Sequence, residues 1–165
     1  MEHPGISTLY RYLYWQRDQV LSAVTRSAPA RFESPEPVVY RDLRSTLVHE
    51  LDVERSWRLR VQGQPREIWD VTLEASAYPD VASLAEDWGR EEADTLEWLA
   101  DLTPEQLAAP VTANGLEGFP LATYLVHVVM HGVESISAAA ILLHQTGTSV
   151  GEIGFLDFID TTVAR

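Results

Sequence analysis

Any chemistry in this chain must start from nitrogen and oxygen donors, because its 165 residues include five histidines and 25 acidic side chains but no cysteine. His127 and His131 are four residues apart, so on a helix they lie about 40° apart around the axis and share one face. Two imidazoles at that spacing can grip one divalent ion, although a stable site wants three or more donors. His49 falls midway along another predicted helix, on a seam with Thr46, Val53 and Trp57. From there it can supply a third nitrogen across a bundle. A divalent cation on three protein ligands keeps an open position, where bound water or thiol loses its proton near neutral pH. The competing reading packs each histidine in the interior against a hydrogen-bonding neighbour. His3 and His144 lie near segment ends, with no ligand partner by spacing.

One carboxylate joins this set. Glu92 falls inside the apolar stripe of a predicted helix, between Trp88 and Leu96, where an unpaired charge is costly and a general acid or base would be tuned. The alternative is a helical wheel displaced by one residue, or a glutamate at the rim that reaches water. With no cysteine there is no disulfide, no thiolate nucleophile and no Cys-type zinc site, so an attacking sulfur must belong to a small-molecule thiol.

Four long periodic segments must position these residues. The first runs from about Ile6 to Arg26, with Leu9, Leu13, Val20 and Val24 on one face. Ser27 to Pro37 holds three prolines and reads as a loop. A second helix is expected from near Val38 to Gly63, on a seam of Tyr40, Leu43, Leu47, Leu51, Glu54, Arg58 and Val61. Gln64 to Pro79 is a long connection. The third helix spans about Val81 to Leu102, and Thr103-Pro104-Glu105 looks like the start of another turn. Asn114-Gly115 and Gly118 suggest a small hairpin. The fourth helix runs from about Pro120 to Gln145 with Gly147 as its stop. It is apolar almost all round, which predicts neighbours on most faces. Strand-type alternation is weak throughout, so the expectation is an all-α four-helix bundle with a short C-terminal helix or turn.

Composition narrows the functional classes. At 45% hydrophobic and 22% charged residues, the chain reads as one globular domain over residues 1–165. Its net charge of −13, with every cation an arginine, argues against nucleic acid and anionic membranes as partners. No run approaches the roughly 18 uninterrupted apolar residues of a membrane span, and the start lacks a signal-peptide pattern. A cytoplasmic location is expected. The five tryptophans read as core or interface anchors, the acidic run from Glu86 to Glu97 as a solvated helix face, and Gly147 to Gly151 as a turn.

The run from Tyr40 through His49 and Trp57 to Gly63 resembles helix two of the DinB/YfiT-like superfamily. Leu125-Val-His127-Val-Val-Met-His131-Gly132, continuing to Gly147, resembles its helix four. The resemblance implies an up-down-down-up four-helix bundle with a three-histidine metal centre. It also implies metal-dependent chemistry with low-molecular-weight thiols on a small electrophile, as in thiol S-transferases and a thiol-dependent maleylpyruvate isomerase. Zinc, nickel or manganese would be the metal. His49 and His131 match family ligand positions, whereas the third ligand position, four residues after His131, is Ser135, a poor donor to divalent metals. His127 from one turn earlier, or Glu134 as an oxygen ligand, would have to complete the set. The alternative is a degenerate bundle that has lost the metal and binds a small ligand, or acts as a homodimeric interaction protein.

Overall fold

The computed structural model describes residues 5–33 and 40–162. His3 lies outside the described residues, and the second long helix starts at Leu43 rather than near Val38, since Tyr40 to Asp42 are not helical and Asp42 caps it. The chain is all-helical, with no strand among the described residues. Its helices are α1 (Ile6–Arg26), α2 (Ala30–Glu33), α3 (Leu43–Val61), α4 (Arg66–Trp69), α5 (Val81–Ala100), α6 (Pro104–Ala108), α7 (Leu121–Gln145) and α8 (Phe155–Thr162). The four long ones match the four periodic segments. The expected Ser27–Pro37 loop holds the single turn of α2, and the long connection after Gly63 holds α4 and a 3₁₀ turn at Ala75–Ala77.

Local chemistry explains the boundaries. Asp42 caps α3 by accepting from the Ser45 backbone N–H at 2.8 Å, and Asp80 caps α5 through Ser83 in the same way. Thr103 and Gln106 close a reciprocal capping box on α6. Gly63 and Gly147 terminate α3 and α7 with φ of +75° and +90°. At both ends a six-to-one and a five-to-two backbone hydrogen bond close a Schellman motif: Gln64 to Leu59 with Gly63 to Arg60, and Thr148 to Leu143 with Gly147 to His144. The Asn114-Gly115 region forms a 3₁₀ turn within a short antiparallel contact, where the Val111 N–H donates to the Phe119 carbonyl, the Gly118 N–H to the Val111 carbonyl and the Leu121 N–H to the Ala109 carbonyl.

Apolar stripes bring the long helices together. α7 packs on α1 and α3, and α5 packs on the same two helices. Leu13, Val20, Leu47, Leu51, Leu84, Trp88, Ile136 and Leu143 meet in one buried cluster. Tyr10, Tyr14, Leu99, Leu125 and Val129 form a second. Each such aliphatic side chain contributes about 1.5–3 kcal/mol on burial. The α3 seam holds from Leu43 to Glu54, but Tyr40 is 88% exposed because it precedes the helix. The expectation that α7 is covered on most faces is corrected: Val126, Met130 and Ile141 are exposed, since α1 and α3 lie against only one side. α7 is also, among the described residues, the one helix long and apolar enough to cross a membrane by length and composition, at mean hydropathy 1.6. Here its inner face is packed on α1 and α3.

On α5 the buried positions are Leu84, Trp88, Glu91, Thr95 and Leu99. The wheel is therefore displaced by one residue from the expected stripe, and Glu91 rather than Glu92 is the buried acid. It is satisfied: Arg58 donates to both of its oxygens at 2.6 and 2.8 Å, and Arg55 donates to Oε2 at 3.2 Å. Glu54 on α3 is less well provided for. Its Oε2 accepts from the Trp88 indole at 3.1 Å, while Oε1 has no hydrogen-bond partner. Burial, reinforced by the neighbouring Glu50 charge, pushes its carboxyl well above the ordinary range. The folded chain therefore holds a proton that the unfolded chain releases, and stability falls as pH rises above the ordinary carboxyl range of about 4.3. Glu54→Gln should flatten this fall, read as the urea midpoint of wild type and variant across pH 5 to 8.

Candidate functional site

α3 and α7 pack side by side, and their facing residues build the site. His49 on α3 and His131 on α7 meet edge to face, with ring centroids 5.5 Å apart. They open into a cavity of about 300 Å³ that is also lined by Arg41, Thr46, Glu134 and Ser135. His131 is paired with a buried acid. Its Nδ1 lies 2.6 Å from Oε2 of Glu50, a carboxylate with no exposed surface. This bond leaves Nε2 as the ring nitrogen available to the cavity.

Gly132 is what lets Glu50 reach this position. A Cβ at residue 132 would lie 2.8 Å from Glu50 Oε1 and 2.6 Å from Leu13 Cδ1. Only a residue without a side chain leaves room for both the carboxylate of α3 and the leucine of α1 against α7.

The electrostatics follow from these neighbours. The hydrogen bond to Glu50 raises His131 above the usual imidazole range, against the opposing effect of burial. Burial raises the Glu50 carboxyl, while His131 and the nearby Ser135 hydroxyl favour its charged form. His49 moves the other way, lowered by burial and then by the charges of Arg41 and His131. The two imidazoles are therefore shifted in opposite directions, His49 toward the neutral form and His131 toward the protonated one.

His127 does not join them. It lies one turn before His131, displaced about 6 Å along the helix. Its ring meets Trp57 edge-on, with centroids 5.1 Å apart, in a group that includes Tyr124 stacked on Trp57 at 5.8 Å. The side chain is exposed and does not line the cavity. Glu92 is likewise elsewhere. It accepts from the buried guanidinium of Arg17 at 2.5 Å, at the contact of α1 with α5. That ion pair supplies the partner an acid on this face needs.

Among the described residues, no group of three His, Cys, Asp or Glu side chains is arranged to hold a metal ion. Two imidazoles are in place, Ser135 stands one turn after His131 where a third donor would be needed, and Glu50 is engaged with His131 Nδ1. These residues do not fit a three-ligand centre.

Two contributors were missed in the sequence: Glu50 and Arg41. Glu50 carries a signal, since it lies four residues before Glu54, a member of the expected seam, and directly follows His49. Arg41 carries none, because it precedes the helix and no periodicity applies to it.

An all-helical chain with histidines facing each other from its second and fourth long helices defines the class. The DinB family model matches residues 1–165, and the chain belongs to the DinB family. No curated protein matches it.

Gly132→Ala should destabilise the fold by about 1–3 kcal/mol, the usual cost of overpacking. Chemical denaturation measures it directly, and the loss should come with altered His131 imidazole resonances, because Glu50 must move.

Proposed function

We propose that this DinB-family chain binds a small molecule in the His49–His131 cavity, within a four-helix bundle read as up-down-down-up, and does so without a resident three-ligand metal. The observation that carries this reading is the Glu50–His131 pair at 2.6 Å, set beside His49 at the floor of an open cavity. Glu50 fixes the ring and its tautomer, so Nε2 presents a defined donor to a ligand. A carboxylate-backed imidazole of this kind can also deliver a proton to a bound oxygen or nitrogen, while the neutral His49 imidazole beside it can accept one. Ser135 adds a small hydroxyl where a third imidazole would fill the cavity.

A second reading has one observation in its favour. A carboxylate on Nδ1 is also how metal-ligating histidines are oriented. His49 and His131 would then hold zinc, nickel or manganese with Glu134 as an oxygen donor from the rim, and the metal would act with a low-molecular-weight thiol on an electrophile. Glu134 is exposed, and ordering it would carry an entropy cost.

Metal binding separates the two. Untagged protein purified without chelator should carry sub-stoichiometric metal and take up zinc weakly. Ser135→His adds an imidazole at i+4 from His131 on the cavity wall. It should tighten zinc binding by more than the roughly 10–100-fold that an outer-shell partner contributes. Stoichiometric metal in the wild type, lost in both His49→Ala and His131→Ala, would overturn the first reading in favour of the second.

A further inference from the structure

We infer that the ligand of the His49–His131 cavity is a small organic monocarboxylate, held by Arg41 at the mouth and by His131 at the floor. The inference rests on the proposed small-molecule role of this cavity and names the chemistry of what enters it.

In a chain with 25 acidic and 12 basic residues, an arginine has acidic partners in excess. Arg17, Arg55, Arg58, Arg66 and Arg90 each pair with at least one carboxylate, while Arg26 and Arg60 donate to hydroxyl or carbonyl oxygens and Arg44 lies over the Phe32 ring. Arg41 pairs with none among the described residues, although it lines the cavity and its charge is felt by both imidazoles. Its sequence neighbour Asp42 does not neutralise it. Both oxygens of that carboxylate are taken by Ser45, through the backbone N–H at 2.8 Å and the hydroxyl at 2.9 Å, to cap α3.

A free guanidinium, two imidazoles and two hydroxyl side chains thus converge on one cavity in an otherwise acidic molecule. The planar fork of an arginine matches a carboxylate by two parallel hydrogen bonds. Thr46 already donates its hydroxyl to the Asp42 carbonyl at 2.8 Å, which leaves Arg41, the histidines and the Ser135 hydroxyl as the donors to an anion.

Size and the remaining walls narrow the class. About 300 Å³ is at the lower end of ligand cavities and holds roughly ten non-hydrogen atoms at water's share of about 30 Å³ each. Ala138 and the Tyr40 ring offer apolar surface for an organic part. Glu134, also on the wall, opposes a second negative charge, which disfavours phosphate and dicarboxylates.

The test uses metal-free full-length protein with benzoate, its neutral analogue benzamide, and inorganic phosphate as probes. Histidine imidazole resonances and calorimetry are followed at neutral pH. Benzoate should shift His49 and His131 saturably and bind more tightly than benzamide or phosphate. Arg41→Ala, at an exposed position that leaves the core intact, should weaken benzoate by about 10–100-fold, as expected for a charged hydrogen bond worth roughly 1.5–3 kcal/mol. It should leave benzamide unchanged, and Arg41→Lys should recover part of the loss. Benzamide binding as tightly as benzoate, or benzoate indifferent to Arg41→Ala, would overturn the carboxylate assignment while leaving the cavity a ligand site. No probe shifting either imidazole would overturn the assignment, and stoichiometric zinc uptake by the same samples would overturn the underlying reading as well.

Discussion

Glu50 is a carboxylate with no access to water, in the interface of α3 with α7, and much of the site follows from how that charge is accommodated. Isolated, it would cost several kcal/mol or give up its charge. Its compensation comes from the opposite helix: His131 supplies a hydrogen bond at 2.6 Å, and Gly132 supplies the space. Three residues on two helices, 81 positions apart in the chain, thereby fix one imidazole ring beside the cavity. The same pairing ties the register of α3 against α7, because sliding either helix by one turn would separate the acid from its base.

The interior holds two further acids, and they show how differently burial can be managed. Glu91 is surrounded by the donors of Arg55 and Arg58 and forms a closed ion network between α3 and α5. Glu54, one turn after Glu50, has only the Trp88 indole for a donor, and burial pushes its carboxyl well above the ordinary range. Glu91 on α5 is thus clamped by two arginines of α3, whereas Glu50 and Glu54 on α3 each have one donor and one oxygen without a hydrogen-bond partner. Arg17 repeats the theme on α1, with its guanidinium over the Tyr14 and Trp88 rings and its charge met by Asp18 and Glu92.

Helix lengths and stops were legible in the sequence because they depend on local chemistry. Gly63 and Gly147 end α3 and α7 where their spacing predicted, and α1 spans the expected Ile6–Arg26. What depended on a neighbour was harder to read. The Glu91–Glu92 displacement turns on which edge of a broad apolar stripe meets α1 and α3, which no single-helix pattern contains. The open face of α7 was hidden for the same reason, since apolarity all round does not say how many helices will come to cover it. The structure brings His49 and His131 together at one cavity, whereas His127, which shares a face with His131 by spacing, lies against Trp57. The long-range Glu50–His131 pair could not be read from either helix alone.

Ser135 gives the site its particular character. A histidine there would turn two imidazoles into a metal-binding set, while serine leaves a cavity whose floor is a carboxylate-backed ring. The central claim is that Glu50 governs His131, and NMR titration of the ring nitrogens of His131, in wild type and in Glu50→Gln, tests it most directly. The account predicts an Nδ1-protonated ring whose titration is raised in the wild type and falls toward the ordinary imidazole range in the variant. An unchanged His131 titration in Glu50→Gln would contradict it.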